Sequence, residues 1–263
     1  MKTLFFTLWA FFSITAYSST LSEVKAKDEL SCGVSGSLLG FSKEDTNGKY
    51  YGFDVDYCRA VASAIGVSKV KFVNLTAKER LGSLKSGEVD ILSRTTTWTL
   101  SRDTDGFDFV GTIFYDGEGF MVPTEFVFKE YESFTDASFC LREGTTSSQN
   151  LNKFFTPKGI KYKEKVYPNK DAVTKAYLAG DCQIYVLDTS ALMSLKASLP
   201  SPEKHKILDI KISKEPLSPV VRDNDAQWLD ITRWTLFLLI QLEEKGINQL
   251  SNQDSRAIAL KIT

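Results

Sequence analysis

The apolar residues of this chain switch repeatedly between short continuous runs and helical spacing. LSCGVS at 30–35, KVKFVNL at 69–75 and VDILSR at 89–94 are strand candidates. Between the first two, Val55, Cys58, Ala62 and Ile65 step by three and four, so they share one face of a helix. Asp54 can cap that helix and Gly66 ends it. Ala77 to Ser86 reads as a helix with Leu81 and Leu84 inward and Gly87 as its C′ residue. The intervening GSLLGFSKEDTNGKYYG is a loop rich in turn residues, and SEVKAKDE ahead of the first strand is a polar leader. FDFVGTIFYDGEGFMV at 107–122 is extended and aromatic. The alternation then restarts. SFCLRE (138–143), KYKEKVY (161–167), CQIYVL (182–187) and HKILDIKI (205–212) are strands. Thr146 to Phe155, Asp171 to Ala179 (closed by Gly180) and Asp188 to about Leu199 are helices. A proline-punctuated EPLSPVV leads into the longest helix, from about Asp225 to Lys245, ended by Gly246.

Strand–helix–strand repetition predicts an α/β protein with largely parallel sheets. Ligands in such sheets bind at the carboxyl ends of strands. That rule selects Ser35, Thr95, Gly144 to Thr146, and Asp188. These stretches hold the parts a free amino acid requires. Its carboxylate calls for an arginine and backbone N–H donors, which TTTWTLSR (Thr95, Thr97, Arg102) and the helix start REGTTSS (Gly144, Thr145, Thr146) supply. Its ammonium calls for a carboxylate, which YVLDTS supplies in Asp188. Each residue also has a plain structural reading. Arg102 beside Asp103 and Asp105 suits a surface ion pair, Asp188 suits an N-cap, and Thr145–Thr146 suits a strand-to-helix turn.

Charge narrows the classes. Lys plus Arg number 32 against 33 Asp plus Glu, so the chain offers no cationic surface for nucleic acid or an anionic membrane. The N-terminus does have a direction. Lys2 precedes the apolar run LFFTLWAFFSI, too short to span a bilayer, and Ala16 and Ser18 sit at the −3 and −1 positions of a cleavage site. Residues 1–18 therefore read as a secretory signal peptide, with an uncleaved anchor as the alternative. Four cysteines, Cys32, Cys58, Cys140 and Cys182, fit two disulfides in an oxidising compartment or four buried thiols. Three pairings are open. No CxxC occurs and His205 is the only histidine, so no zinc site is expected. His205 itself lies in PSPEKHK and reads as a solvated loop residue.

From about Leu30 to Gly246 the chain resembles the polar-amino-acid family of periplasmic solute-binding proteins. CGVSGSLLGFS, GFDVDYCRAVASAIG, AKERLGSLKSGEVDILSRTTTWTLSRD, FYDGEGFMV, REGTTSSQNL, AYLAGDCQIYVLDTSAL and SPVVRDNDAQWLDITRWTLF carry the likeness. The resemblance implies a two-lobed periplasmic-binding-protein fold of type II, each lobe a mostly parallel sheet flanked by helices, with a hinge between lobes. Residues 28–118 plus 217–263 would form lobe 1, and residues 119–216 lobe 2. It implies capture of free L-amino acids of broad range for the membrane permease of an ATP-binding-cassette importer, by a monomer without cofactor or metal, in the periplasm.

Residue by residue, the resemblance gives Arg102 the ligand α-carboxylate. Thr95 and Thr97 contact ammonium and carboxylate, Thr146 adds a carboxylate contact from lobe 2, and Asp188 binds the ammonium. Leu38 stands where narrower relatives place a stacking aromatic, an aliphatic wall that fits broad selectivity. The implied fold puts Cys32 and Cys58 together in lobe 1, and Cys140 and Cys182 together in lobe 2, so each pair would close within its lobe. Relatives of this type continue past the position of Thr263 with a part packed on lobe 1, so the resemblance implies a truncated or naturally shortened C-terminal part of that lobe. The competing expectations are a dehydratase-like enzyme on the same scaffold, opposed by the lack of visible paired carboxylates, and a ligand-sensing module.

Overall fold

A computed structural model describes residues 19–247. The signal-peptide reading of residues 1–18 and the C-terminal stretch from residue 248 lie outside the described residues.

The chain opens with a helix, α1 (Thr20–Lys27), where only a polar leader was expected. Its sequence buries little beyond Thr20 and Val24, and it is held from afar: the Thr20 N–H donates to Asp225 at 2.8 Å. Strand β1 (Glu29–Val34) follows. The expected loop is a small antiparallel sheet of β2 (Ser37–Leu38), β3 (Ser42–Glu44) and β4 (Tyr50–Tyr51). Helix α2 (Phe53–Ile65) packs Val55, Cys58, Val61 and Ala62 inward and ends at Gly66, φ +75°. Asp54 does not cap it. The N-cap is Gly52, and Asp54 is fully buried beneath the sheet, accepting from Ser93 Oγ at 3.0 Å. Then come β5 (Lys69–Asn74), the short α3 (Arg80–Lys85), β6 (Ile91–Thr97), α4 (Leu100–Asp103), β7 (Phe107–Phe109) and β8 (Phe114–Asp116).

The second half builds another sheet. Strands β9 (Glu118–Pro123) and β10 (Ser138–Arg142) precede α5 (Ser147–Phe155), β11 (Lys163–Tyr167) and α6 (Lys170–Leu178). Strand β12 (Ile184–Asp188), α7 (Thr189–Ser198) and β13 (His205–Ile207) complete it. The chain then returns to the first sheet through β14 (Glu215–Arg222) and ends in α8 (Ala226–Glu244). EPLSPVV is thus a strand near the middle of the sheet. Its Pro219 sits where the pairing with β6 shifts register between Ser218 and Val220, so the missing N–H breaks no regular ladder bond.

The sheets run β5-β1-β6-β14-β7, with β8 on β14, and β11-β10-β12-β9-β13. Only β5, β1 and β6, and β11, β10 and β12, pair in parallel; the remaining pairs are antiparallel. The sheets are mixed rather than largely parallel, because the strands that carry the chain between them must run out and back. Each sheet has its own core. Trp228, Tyr57 and Val61 close the first, and a cluster of Phe120, Phe134, Phe139 and Phe155 closes one face of the second. Among the described residues the chain passes between these two larger sheets only at Gly117 and across 208–214. These two crossings touch. Ile212 N–H donates to Glu118 O at 3.0 Å, and a Cβ on Gly117 would lie 2.7 Å from Ser213 O.

Disulfides join Cys32 to Cys58 and Cys140 to Cys182, each within one half of the molecule, and no free cysteine is present among the described residues. No helix among the described residues is long and apolar enough to cross a membrane.

Candidate functional site

The facing ends of β1, β6, β10 and β12 enclose a cavity of about 620 Å³ of atom-free space, its open mouth included. All four strand ends selected from the sequence contribute to it: Ser35, Thr95, Thr145 with Thr146, and Asp188. Thr97 and Leu38 line it as well. Arg102 does not line it but stands at its lip. Its Nη1 donates to Thr97 O at 2.8 Å and its Nη2 to Gly144 O at 3.4 Å, so it spans the two halves. Asp103 instead accepts from Trp98 and Asp105 pairs with Lys85, so the surface ion-pair reading of Arg102 fails.

The backbone beneath Thr95 is built for this place. Thr95 has φ +41°, in the left-handed region that costs a threonine about 1–3 kcal/mol. Arg80, buried in α3, donates Nη1 to the carbonyls of Arg94 and Thr95 at 3.2 and 3.3 Å and Nη2 to Gly144 O at 3.3 Å. Behind the kink, Arg94 Nε holds Leu75 O at 2.6 Å. Burial pushes the Asp54 carboxyl up to about 6, against the pull of Ser93, Arg94 and Thr95. Across the cavity, Gly144 has φ +78° and abuts Ala77 and Lys78, where an added Cβ would come within 2.6 Å of backbone. The small sheet fastens to the other half too: Leu39 N–H donates to Ser194 Oγ at 2.9 Å, and Lys170 Nζ to Ser37 O at 3.0 Å.

Opposite lies a group of acids. Glu118, Asp188 and Glu215 bring carboxylate oxygens within 4.8 Å of one another, an arrangement able to hold a cation. Glu118 accepts from Ser147 Oγ at 2.6 Å and Asn150 Nδ2 at 2.9 Å. Glu215 accepts from Asn150 Nδ2 and Ser213 Oγ, both at 2.6 Å, and from Thr146 Oγ1 at 3.3 Å. Asp188 differs. It occupies the N-cap position of α7 but makes no cap bond, and its carboxylate has no hydrogen-bond partner among the described residues. Burial first, and repulsion from neighbouring carboxylates next, push Glu118 up to about 8 and Asp188 up to about 7. Paired carboxylates therefore do exist beside the cleft, with Asp188 on its wall and Glu118 and Glu215 buried behind, contrary to the sequence expectation, because Glu118 and Glu215 meet only where the crossings run side by side. His205, expected in a solvated loop, begins β13 and bonds Tyr177 OH through Nδ1 at 2.9 Å.

The raised carboxyls set a pH dependence. Between about pH 4 and pH 8 the folded, empty protein holds protons that the unfolded chain has released, so stability falls as pH rises through this window. Melting temperature without ligand should be higher at about pH 5.5 than at about pH 8, measured by calorimetry; a rise instead would mean that these acids are charged in the folded protein.

Residues 30–245 match the bacterial extracellular solute-binding proteins, family 3. The chain belongs to this family. It is 47% identical over 237 residues to the general L-amino acid-binding periplasmic protein of Rhizobium johnstonii, covering 89% of this chain and 70% of that one. It is 42% identical over 245 residues to the glutamate/glutamine/aspartate/asparagine-binding protein of Rhodobacter capsulatus, covering 92% and 72%. Among solved structures it is similar to a periplasmic binding protein of an ABC transporter from Brucella ovis with glutathione bound, at TM-score 0.83 and 45% identity over 88% of this chain and 74% of that one. As a family 3 solute-binding protein the chain has the two-lobed type II architecture, with mixed sheets in place of mostly parallel ones.

Four cations in the wall, Arg80, Arg94, Arg142 and Lys170, were missed from the sequence. Arg94 and Arg142 adjoin strand ends already selected, so the strand-end rule could have found them. Arg80 and Lys170 sit on helices and read as surface residues.

Proposed function

We propose that the protein captures free L-amino acids of broad range outside the cytoplasmic membrane and passes them to the permease of an ATP-binding-cassette importer. One observation carries this reading: the unpartnered Asp188 carboxylate shares a single cavity with Thr95 and Thr97 of the first half and Thr146 of its own half, with Arg102 at the lip. A zwitterion satisfies both sides at once. The ammonium takes Asp188. The carboxylate takes Arg102, whose two bonds leave three of its five N–H groups free, together with the N–H groups at the start of α5. The lobes would be residues 28–118 plus 217 onward and residues 119–216, working as a monomer in the periplasm, with no cofactor and no nucleic acid. The general amino-acid specificity of the Rhizobium johnstonii relative supports the ligand class.

The test is a thermal-shift scan of the oxidised protein against L- and D-amino acids. Ligand at ~100 times its Kd should stabilise the protein by ~2.7 kcal/mol. Shifts with many L-forms and few D-forms are expected, and a clear melt that no amino acid moves would reject the reading.

A dehydratase on this scaffold is the second reading, favoured by the Glu118 carboxyl, which burial keeps protonated near neutral pH within 4.8 Å of the Asp188 carboxylate on the cavity wall. Turnover of a cyclic dienol acid that Glu118→Gln abolishes would establish it.

A further inference from the structure

Arg80 begins α3 and is only 3% exposed, yet no carboxylate pairs with it. The salt bridges among the described residues are Arg59–Asp56, Lys78–Glu143 and Lys85–Asp105. Burial, and then the charges of Arg102, Arg94 and Arg142, pull its pKa well below the usual arginine range, with Asp188 opposing them. What its guanidinium touches is main chain. Nη1 holds Arg94 O and Thr95 O in the first half, and Nη2 holds Gly144 O in the second. A guanidinium is costly to keep from water without matched N–H groups, and the buried Nε has no partner. A side chain needed only to brace α3 against β6 would not have to reach the other half.

The carbonyl it reaches is a junction. Gly144 O also accepts from Arg102 Nη2 at 3.4 Å, so two arginines of the first half meet one carbonyl of the second. Gly144 is seated against the chain just ahead of Arg80, where an added Cβ would lie 2.6 Å from the backbone of Ala77 and Lys78. Thr145 and Thr146 follow it directly and line the cavity, and Thr95 lines the same cavity from the first half. The bonds of Arg80 to Arg94 O and Thr95 O lie within one half and survive any movement of the halves. The bond to Gly144 O exists only when the halves meet. Thr95, at φ +41°, has a backbone that persists only where its surroundings hold it.

We infer that Arg80 is a positioning residue for ligand capture: it ties the Thr95 carbonyl of one half to the Gly144 carbonyl of the other, so that Thr95 and Arg102 are fixed around the ligand's carboxylate when the halves meet, and the tie sets how slowly the ligand escapes. This rests on the amino-acid reading above. Arg80 acts through the two carbonyls and not by contact with the ligand.

Stopped-flow tryptophan fluorescence of the oxidised protein, with L-glutamine as the probe, reads entry and escape rates separately. Arg80→Gln should speed escape at least about tenfold and leave entry within about threefold. Arg80→Lys keeps the charge but not the planar fork, and should fall between. Gly144→Ala approaches the same tie from the second half, because its Cβ strikes Ala77 and Lys78 only when the halves meet, and it should speed escape comparably. Both changes break one tie, so the double variant should release ligand no more than about twofold faster than the faster single variant. Lys78→Gln removes the exposed Lys78–Glu143 pair beside the tie and should alter escape by less than about twofold. A purely structural Arg80 would lower the melting temperature without this rate split, and its effect would multiply with that of Gly144→Ala; that result would overturn the inference while amino-acid capture stands. If Arg80→Gln shows no cooperative melt, Gly144→Ala decides: faster escape with unchanged entry upholds the inference, and wild-type escape overturns it. Binding of neither L-glutamine nor any other L-amino acid by the unaltered protein would overturn both readings together.

Discussion

Arg102→Ala should weaken every amino acid the protein binds by about 2–5 kcal/mol, roughly 30- to 5,000-fold. The size follows from what the residue touches. Its guanidinium is mostly withdrawn from water, which lowers its pKa, while the charges of Glu215 and Asp188 hold it up. It bonds Thr97 O on one half and Gly144 O on the other. Its removal leaves the ligand carboxylate without its strongest partner and unties a bond that helps hold the halves together. Arg102→Lys keeps the charge but loses the planar fork, so its affinity should fall between those of wild type and alanine. Titration calorimetry with several L-amino acids measures this, and melting curves without ligand check that the variants fold. Wild-type affinity in Arg102→Ala would show that the carboxylate sits elsewhere in the cavity.

Replacing Cys140 and Cys182 together by serine should cost about 4 kcal/mol of stability, and Cys32 with Cys58 about 3.5, on the loop-closure relation for separations of 42 and 26 residues. Each bond ties a buried parallel strand to the segment that covers it: Cys32 in β1 to Cys58 in α2, and Cys140 in β10 to Cys182 just ahead of β12. All four sulfurs lie in the cores, so serine also leaves hydroxyls in apolar surroundings and adds to the loss. Urea denaturation of the oxidised protein and of each double variant measures the difference. Both pairs close within one half, so amino-acid affinity at low temperature should change little in either variant. A large affinity loss in a variant that still melts cooperatively would mean that the bonds shape the cleft directly.

Much of this architecture was readable in the amino-acid order because it rests on local pattern. Val55, Cys58 and Ala62 mark α2, and the helix-ending glycines at 66, 180 and 246 adopt positive φ as expected. The strand-end rule located the cavity, through Ser35, Thr95, Thr145, Thr146 and Asp188, though not the rest of its wall. What it missed depends on distant partners. Helix α1 has almost no apolar face and is anchored by Asp225, 205 residues away. Strand β14 carries two prolines that usually argue against an inner strand, and only its shifted register makes room for Pro219. Asp54 looks like a cap, yet it supports the Thr95 kink through Ser93. The acids Glu118 and Glu215 are 97 positions apart and meet because two crossings lie side by side. Arg80 reads as one more exposed helix charge until its guanidinium is seen holding carbonyls on both sides of the cleft.

Those crossings run side by side as a pair of irregular segments. They are hydrogen-bonded to each other, and at Gly117 no side chain fits between them. A joint of two adjoining segments should let the halves swing like the covers of a book more readily than slide or twist past one another. Substituting Gly117 by alanine would force the segments apart and turn a guided arc into a loose joint. The rims would then no longer arrive in register, and the outer surface that a membrane partner must read would lose its single closed outline.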